Sequence, residues 1–105
     1  MVSSDRRRVK LYHATNDAGV EGIRREGFAR SGLSDSPGAS WMSASREEAV
    51  AVAASRGWLV VVSIPSEIAE QHRYRFGDGE PYLDNYLVPW SVLNDHRPFT
   101  FERLS

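Results

Sequence analysis

No cysteine occurs in this sequence. That removes any disulfide framework and every thiolate metal site, and it suits a reducing, cytoplasmic compartment. Long apolar runs are missing too. The longest, Ala49 to Ala54 and Trp58 to Val62, fall far short of the roughly 20 residues that cross a bilayer. The first apolar stretch after the basic N-terminal residues, Val9 to Tyr12, is too short for the core of a signal peptide. No membrane association is expected. A dominant charge is also absent. Thirteen basic and 14 acidic residues leave a formal net charge of -1, which gives no general attraction for nucleic acid. Only Arg6-Arg7-Arg8-Val9-Lys10 concentrates positive charge, and residues 1–8 read as a frayed, solvated basic end. The histidines at 13, 72 and 96 are too widely spaced for a metal-ligand motif, so no metal is expected. There is no phosphate-cradling glycine loop and no Gly-x-Ser-x-Gly elbow of a serine hydrolase.

What remains fits one domain spanning residues 1–105. A chain of this size buries roughly 65% of its unfolded surface, enough for one core. Val9 to His13 reads as a first strand. Thr15 or Asn16 can cap a helix that buries Val20 and Ile23 on one face and ends at Gly27. Residues 29–40, rich in Ser, Gly and Pro, read as a surface loop. Trp41 to Ser43 is a short strand. Ser45 and Glu48 form a capping box for an alanine-rich helix from Arg46 to about Arg56, closed by Gly57. Trp58 to Ile64 is apolar on both faces and reads as a central strand, stopped by Pro65. Ser66 can cap a helical turn through Glu70. Strands follow at His72 to Phe76 and Tyr82 to Val88, separated by a turn at Gly77 to Pro81. Trp90 to Leu93 is a turn of helix, and Pro98 to Leu104 a terminal strand with Phe99 and Phe101 on one face. Helices come early and strands cluster late. That order predicts an α+β domain and argues against a doubly wound parallel sheet.

Three places carry polar or aromatic groups suited to a ligand. His13 ends the first strand, where its ring can donate and accept hydrogen bonds. Small Ala14 beside it leaves backbone groups accessible. The alternative is a histidine satisfied by nearby backbone. Trp41 can stack on a flat heteroaromatic ring, with the Ser43 hydroxyl beyond it; the alternative is core packing. Asp84 and Asn85 interrupt an otherwise apolar strand and alternate to opposite faces. A polar group turned inward there needs a partner, unless this is an edge strand with both groups in water.

Leu11-Tyr12-His13-Ala14-Thr15 resembles the first motif, Leu-Tyr-His-Gly-Thr/Ser, of the diphtheria-toxin and poly(ADP-ribose)-polymerase branch of ADP-ribosyltransferases. Ile23 to Gly27-Phe28 is similar to the Ile-x-x-x-Gly-Phe stretch that follows it. Gly38 to Ser43 resembles the second motif, Gly-x-Tyr-Phe-Ser, and an alanine-rich helix comes next in both. Asp84-Asn85-Tyr86-Leu87-Val88-Pro89 resembles the third, a Glu followed by Tyr/Phe-x-Val and often Pro. The likeness covers Val9 to about Leu93.

The resemblance implies a split antiparallel or mixed sheet flanked by short helices, with NAD⁺ in the cleft. It implies that His13 holds the adenosine ribose, that backbone at Ala14 and Thr15 meets the nicotinamide amide, and that Trp41 and Ser43 line the nicotinamide end. The family's catalytic glutamate, which bonds the nicotinamide ribose and steadies an oxocarbenium-like transition state, falls on Asn85. The amide keeps a hydrogen-bonding group but loses the negative charge, and Asp84 or Glu80 could supply one. The implied activity is mono-ADP-ribosyl transfer or NAD⁺ hydrolysis, with a protein acceptor in the first case. The alternative is a catalytically decayed module that binds NAD⁺, ADP-ribose or a protein. An RNA 2′-phosphotransferase would need pocket arginines that the motif positions lack.

Overall fold

A computed structural model of the chain describes residues 7–28, 38–75 and 81–104; the side chains of residues 75 and 81–84 lie outside that description. The elements are β1 (Arg8–Thr15), α1 (Asp17–Glu26), β2 (Ala39–Ser43), α2 (Arg46–Ala53), β3 (Trp58–Pro65), α3 (Ser66–Gln71), β4 (Arg73–Arg75), β5 (Pro81–Pro89), α4 (Trp90–Asn94) and β6 (Thr100–Arg103). The strands form one six-stranded sheet in the order β4-β5-β2-β1-β3-β6. All five neighbouring pairs are antiparallel. The domain is therefore α+β. No helix among the described residues is long and apolar enough to cross a membrane.

The local reasons for these elements are legible. Asn16 caps α1: its side chain accepts the Gly19 N–H at 2.9 Å. Gly27 ends the helix at φ 81°, a left-handed conformation that costs glycine least. Ser45 caps α2 by accepting the Glu48 N–H at 3.2 Å, but the return bond of the expected capping box is not formed, because the Ser45 N–H is taken by the Ser43 hydroxyl at 3.0 Å. That helix is shorter than its alanine content predicts. It ends at Ala53, and residues 54–56 form turns, where the Arg56 N–H reaches back only three residues to the Ala53 carbonyl at 2.8 Å and shares it with the Gly57 N–H at 2.7 Å. Ser66 does not cap α3. Pro65 holds the cap position, and the Ser66 N–H is taken by the Arg7 carbonyl at 2.8 Å. β1 also extends further than expected at both ends. Arg8 belongs to it, opposite Pro65, with its guanidinium on the Ser63 carbonyl at 2.7 Å. At the other end the strand runs on through Ala14 and Thr15.

Alternation on the strands builds two cores, one on each face of the sheet. On one face Leu11, Met42, Val60, Val62, Ile64 and Val88 pack with Val20, Phe28, Ala69 and Leu93 from the helical side. Phe99 and Phe101 join this face together. On the other, Ala49 and Ala53 of α2 pack on Leu59, with Tyr12 and Ala14 beside them. Each fully buried leucine or isoleucine contributes about 1.5–3 kcal/mol by leaving water. β5 is an interior strand between β4 and β2, so the edge-strand reading of Asp84 and Asn85 does not hold.

Candidate functional site

The sheet order makes neighbours of three strands that are far apart in sequence. β1 carries His13, β2 carries Trp41 and Ser43, and β5 carries Asp84 and Asn85; they lie side by side as β5-β2-β1. Contact between β1 and β2 is minimal. β2 pairs with β5 along five residues and β1 with β3 along eight, yet β1 and β2 share only Tyr12 opposite Ser43. Beyond that point the two strands diverge. Backbone groups of residues 13–15 that turn toward β2 have no ladder partner there.

His13 stands where the strands part. Its Nδ1 lies 3.0 Å from the Trp41 carbonyl oxygen. A carbonyl only accepts, so Nδ1 carries the proton and Nε2 presents a lone pair. Nε2 bonds no other group among the described residues. The ring is further located by the edge of Phe28, with centroids 5.5 Å apart and planes at 74°. Burial pushes the His13 pKa below its ordinary 6.5; the Trp41 carbonyl opposes this, and the positive charge of Arg56 adds to it. The outcome is a neutral, tautomerically fixed imidazole at the divergence. The two alternatives posed by the sequence are thus both partly met: one nitrogen is satisfied by backbone and the other is open.

This environment has a pH signature. The native protein resists a proton that the unfolded chain accepts at about 6.5. Between the lowered native pKa and 6.5 the unfolded state binds more protons, so stability rises with pH across that window. The contribution is complete above 6.5 and declines as pH falls through the window. Urea denaturation at a series of pH values will show this slope in the wild type and lose it in His13→Gln. An identical profile in both would mean that His13 titrates normally.

The remaining expected site residues are distributed less simply. Met42 belongs to the same core as Phe28, so its neighbours Trp41 and Ser43 point to the opposite face of the sheet from His13. Trp41 is 46% exposed, which excludes the core role. Its ring meets Tyr74 of β4 edge-to-face at 4.9 Å. It is the Trp41 carbonyl, and not the indole, that reaches His13. The Ser43 hydroxyl is engaged at home: it accepts the Ser45 N–H at 3.0 Å and donates to the Ser45 carbonyl at 3.2 Å. Its work is to shape the turn into α2. Thr15 packs against Gly19, where a Cβ would overlap its hydroxyl. Asn85 is half-buried, opposite Ser43 in register, and its amide takes no partner among the described residues. Tyr12, Ser43 and Asn85 form one row across three strands, which sets Asn85 about 10 Å from β1. Asp84 lies on β5 with its side chain outside the description, and Glu80 lies outside it altogether, as do most of the two loops expected at residues 29–40 and 77–81.

Phe28, Asn94, Arg56 and Tyr74 join the site without having been singled out for it. Asn94 accepts the Phe28 N–H at 2.8 Å and donates to the Phe28 carbonyl at 2.9 Å. No local pattern reveals a partner 66 positions away. An open groove of about 630 Å³ lies elsewhere, between Val9, α3 and Tyr86. It is at the opposite end of β1 from His13, and none of the expected site residues lines it. Comparison with protein-family models, with characterised proteins and with solved structures returned no match to this chain.

Proposed function

We propose that this chain is an NAD⁺-binding domain of the ADP-ribosyltransferase type, acting as a mono-ADP-ribosyltransferase or NAD⁺ glycohydrolase. One observation carries the reading. The three segments that resemble the family's motifs lie on adjoining strands, β5-β2-β1, and the sheet opens beside the motif histidine. His13 Nε2 is then the acceptor for a ribose hydroxyl, and the unladdered backbone at Ala14 and Thr15 meets the carboxamide of nicotinamide. This reading requires one ligand to reach His13 on one face of the sheet and Asn85, about 10 Å from β1, on the other.

The chemistry breaks the bond between C1′ of the ribose and the nicotinamide nitrogen. Nicotinamide leaves with the bonding electron pair, and C1′ becomes oxocarbenium-like. Water, or a nucleophilic side chain of an acceptor protein, adds to C1′ and releases a proton. Asn85 orients the ribose hydroxyl through its amide oxygen. A neutral amide steadies the developing cation less than a carboxylate does, so turnover is slow. That same substitution favours a second reading, a module that binds NAD⁺ or ADP-ribose without turnover.

Calorimetric titration with NAD⁺, with free nicotinamide assayed in the same sample, tests both. The expected result is saturable binding, abolished by His13→Ala, with slow nicotinamide release. Binding without release would select the non-catalytic module. No binding of any adenine dinucleotide would overturn the proposal.

A further inference from the structure

We propose that Asn94 is a positioning residue for His13, acting through Phe28. The side-chain amide of Asn94 clasps the Phe28 peptide unit from both sides, donating to its carbonyl and accepting from its N–H. This replaces a two-bond strand pairing with a single side chain. Phe28 is buried and follows directly on the glycine that ends α1, and among the described residues its backbone makes no helical or sheet bond. Its ring is braced on one side by Phe99, edge-to-face at 5.2 Å. On the other it abuts the His13 imidazole. The Trp41 carbonyl fixes where Nδ1 points, and the Phe28 edge fixes the tilt of the ring. Together they aim Nε2. Asn94 is the last residue of α4, which follows directly on β5. The clasp therefore ties the strand that carries Asn85 to the ring on β1.

The ligand side of this inference rests on the NAD⁺ reading, but the positioning itself does not. Two readouts keep them apart. The first is the nitrogen-15 spectrum of the His13 imidazole in the ligand-free protein, which reports the tautomer directly. Wild type is expected to show a single form protonated at Nδ1. Asn94→Leu removes both bonds, and Phe28→Leu keeps the clasp but removes the ring edge. Each should give a mixture of tautomers while the protein still unfolds cooperatively. The second readout is NAD⁺ affinity, expected to fall by about 10–100-fold in both variants, as small misplacements of binding groups do. An unchanged tautomer in a folded Asn94→Leu overturns the inference. If Asn94→Leu does not fold, Phe28→Leu decides: a tautomer shift supports the ring contact, and none overturns it. Should wild type fail to bind NAD⁺, the functional reading falls while the spectrum still settles the role of Asn94.

Discussion

Nicotinamide release from NAD⁺ is expected to rise by about 100-fold when Asn85 is replaced by glutamate, if the proposed activity holds. Asn85 is half-buried on an interior strand, in the row that crosses β1 and β2 where they meet. The Ser43 hydroxyl opposite it is occupied by Ser45, so it does not compete for the new carboxylate. A carboxylate facing a developing cation in a partly water-excluded site acts mainly on the transition state. Groups of this kind are worth about 10²–10³ in rate, and 100-fold corresponds to about 2.7 kcal/mol of barrier. The gain should appear mainly in kcat, because the positive charge lies on the nicotinamide nitrogen in the bound substrate and shifts onto C1′ only as the bond breaks. It should vanish when His13→Ala is added. Equal release from the wild type and Asn85→Glu, with NAD⁺ bound in both, would remove Asn85 from the reacting centre and favour the non-catalytic module.

Gly27→Ala is expected to cost about 3–5 kcal/mol of folding stability. Gly27 sits at φ 81° and ψ -171°, a region that side chains all but forbid, with strain of about 1–3 kcal/mol. A Cβ there would also fall 2.6 Å from Asn94 Oδ1 and overlap the Arg97 guanidinium. Arg97 is the free end of a long side chain and can yield. Asn94 is held by two hydrogen bonds to Phe28 and cannot move without breaking them, at about 1 kcal/mol or more each. For a domain whose whole stability is about 5–15 kcal/mol, this is a large fraction. The control is Gly22→Ala in the same helix. No atom lies within 4 Å of its added Cβ, so the change should be neutral or stabilise by up to about 1 kcal/mol through helix propensity. Urea denaturation of the two variants makes the comparison. Equal midpoints would show that the α1 terminus relaxes freely and that the clasp is not rigid.

Local chemistry was legible in the sequence, and long-range pairing was not. The Ser45–Glu48 cap, the Gly27 stop and the paired Phe99 and Phe101 all follow from spacings of one to four residues. The cap of α1 narrowed to two candidates, and Asn16 holds it because Thr15 is drawn into β1. Ser66 failed as a cap because α3 begins one residue earlier than expected, with Ser66 inside it and Pro65 in the cap position. The α2 boundary moved because alanine-rich composition predicts a helix but not where its last turn closes. Alternation along the Tyr82–Val88 run does not reveal whether the strand lies inside the sheet or at its edge. Only the place of β4 beside it decides that. His13 and Trp41 were each visible as candidates. That one binds the other's carbonyl, 28 positions on, could not be read from either. The exposed pairing of Trp41 with Tyr74 depends likewise on β2, β5 and β4 meeting in that order.

The single residue pair that joins β1 to β2 also divides the sheet mechanically. β4, β5 and β2 form one three-stranded panel, and β1, β3 and β6 form the other. Within each panel the ladders are longer; between them stand one ladder pair and the His13 bond to the Trp41 carbonyl, backed on one face by the side chains of the larger core. Each panel is a unit that can protect its own amides from exchange. Under the proposed reading, a molecule held across the seam would act as a splint, joining the panels as backbone ladders do. Occupancy and rigidity are then the same equilibrium seen from two sides.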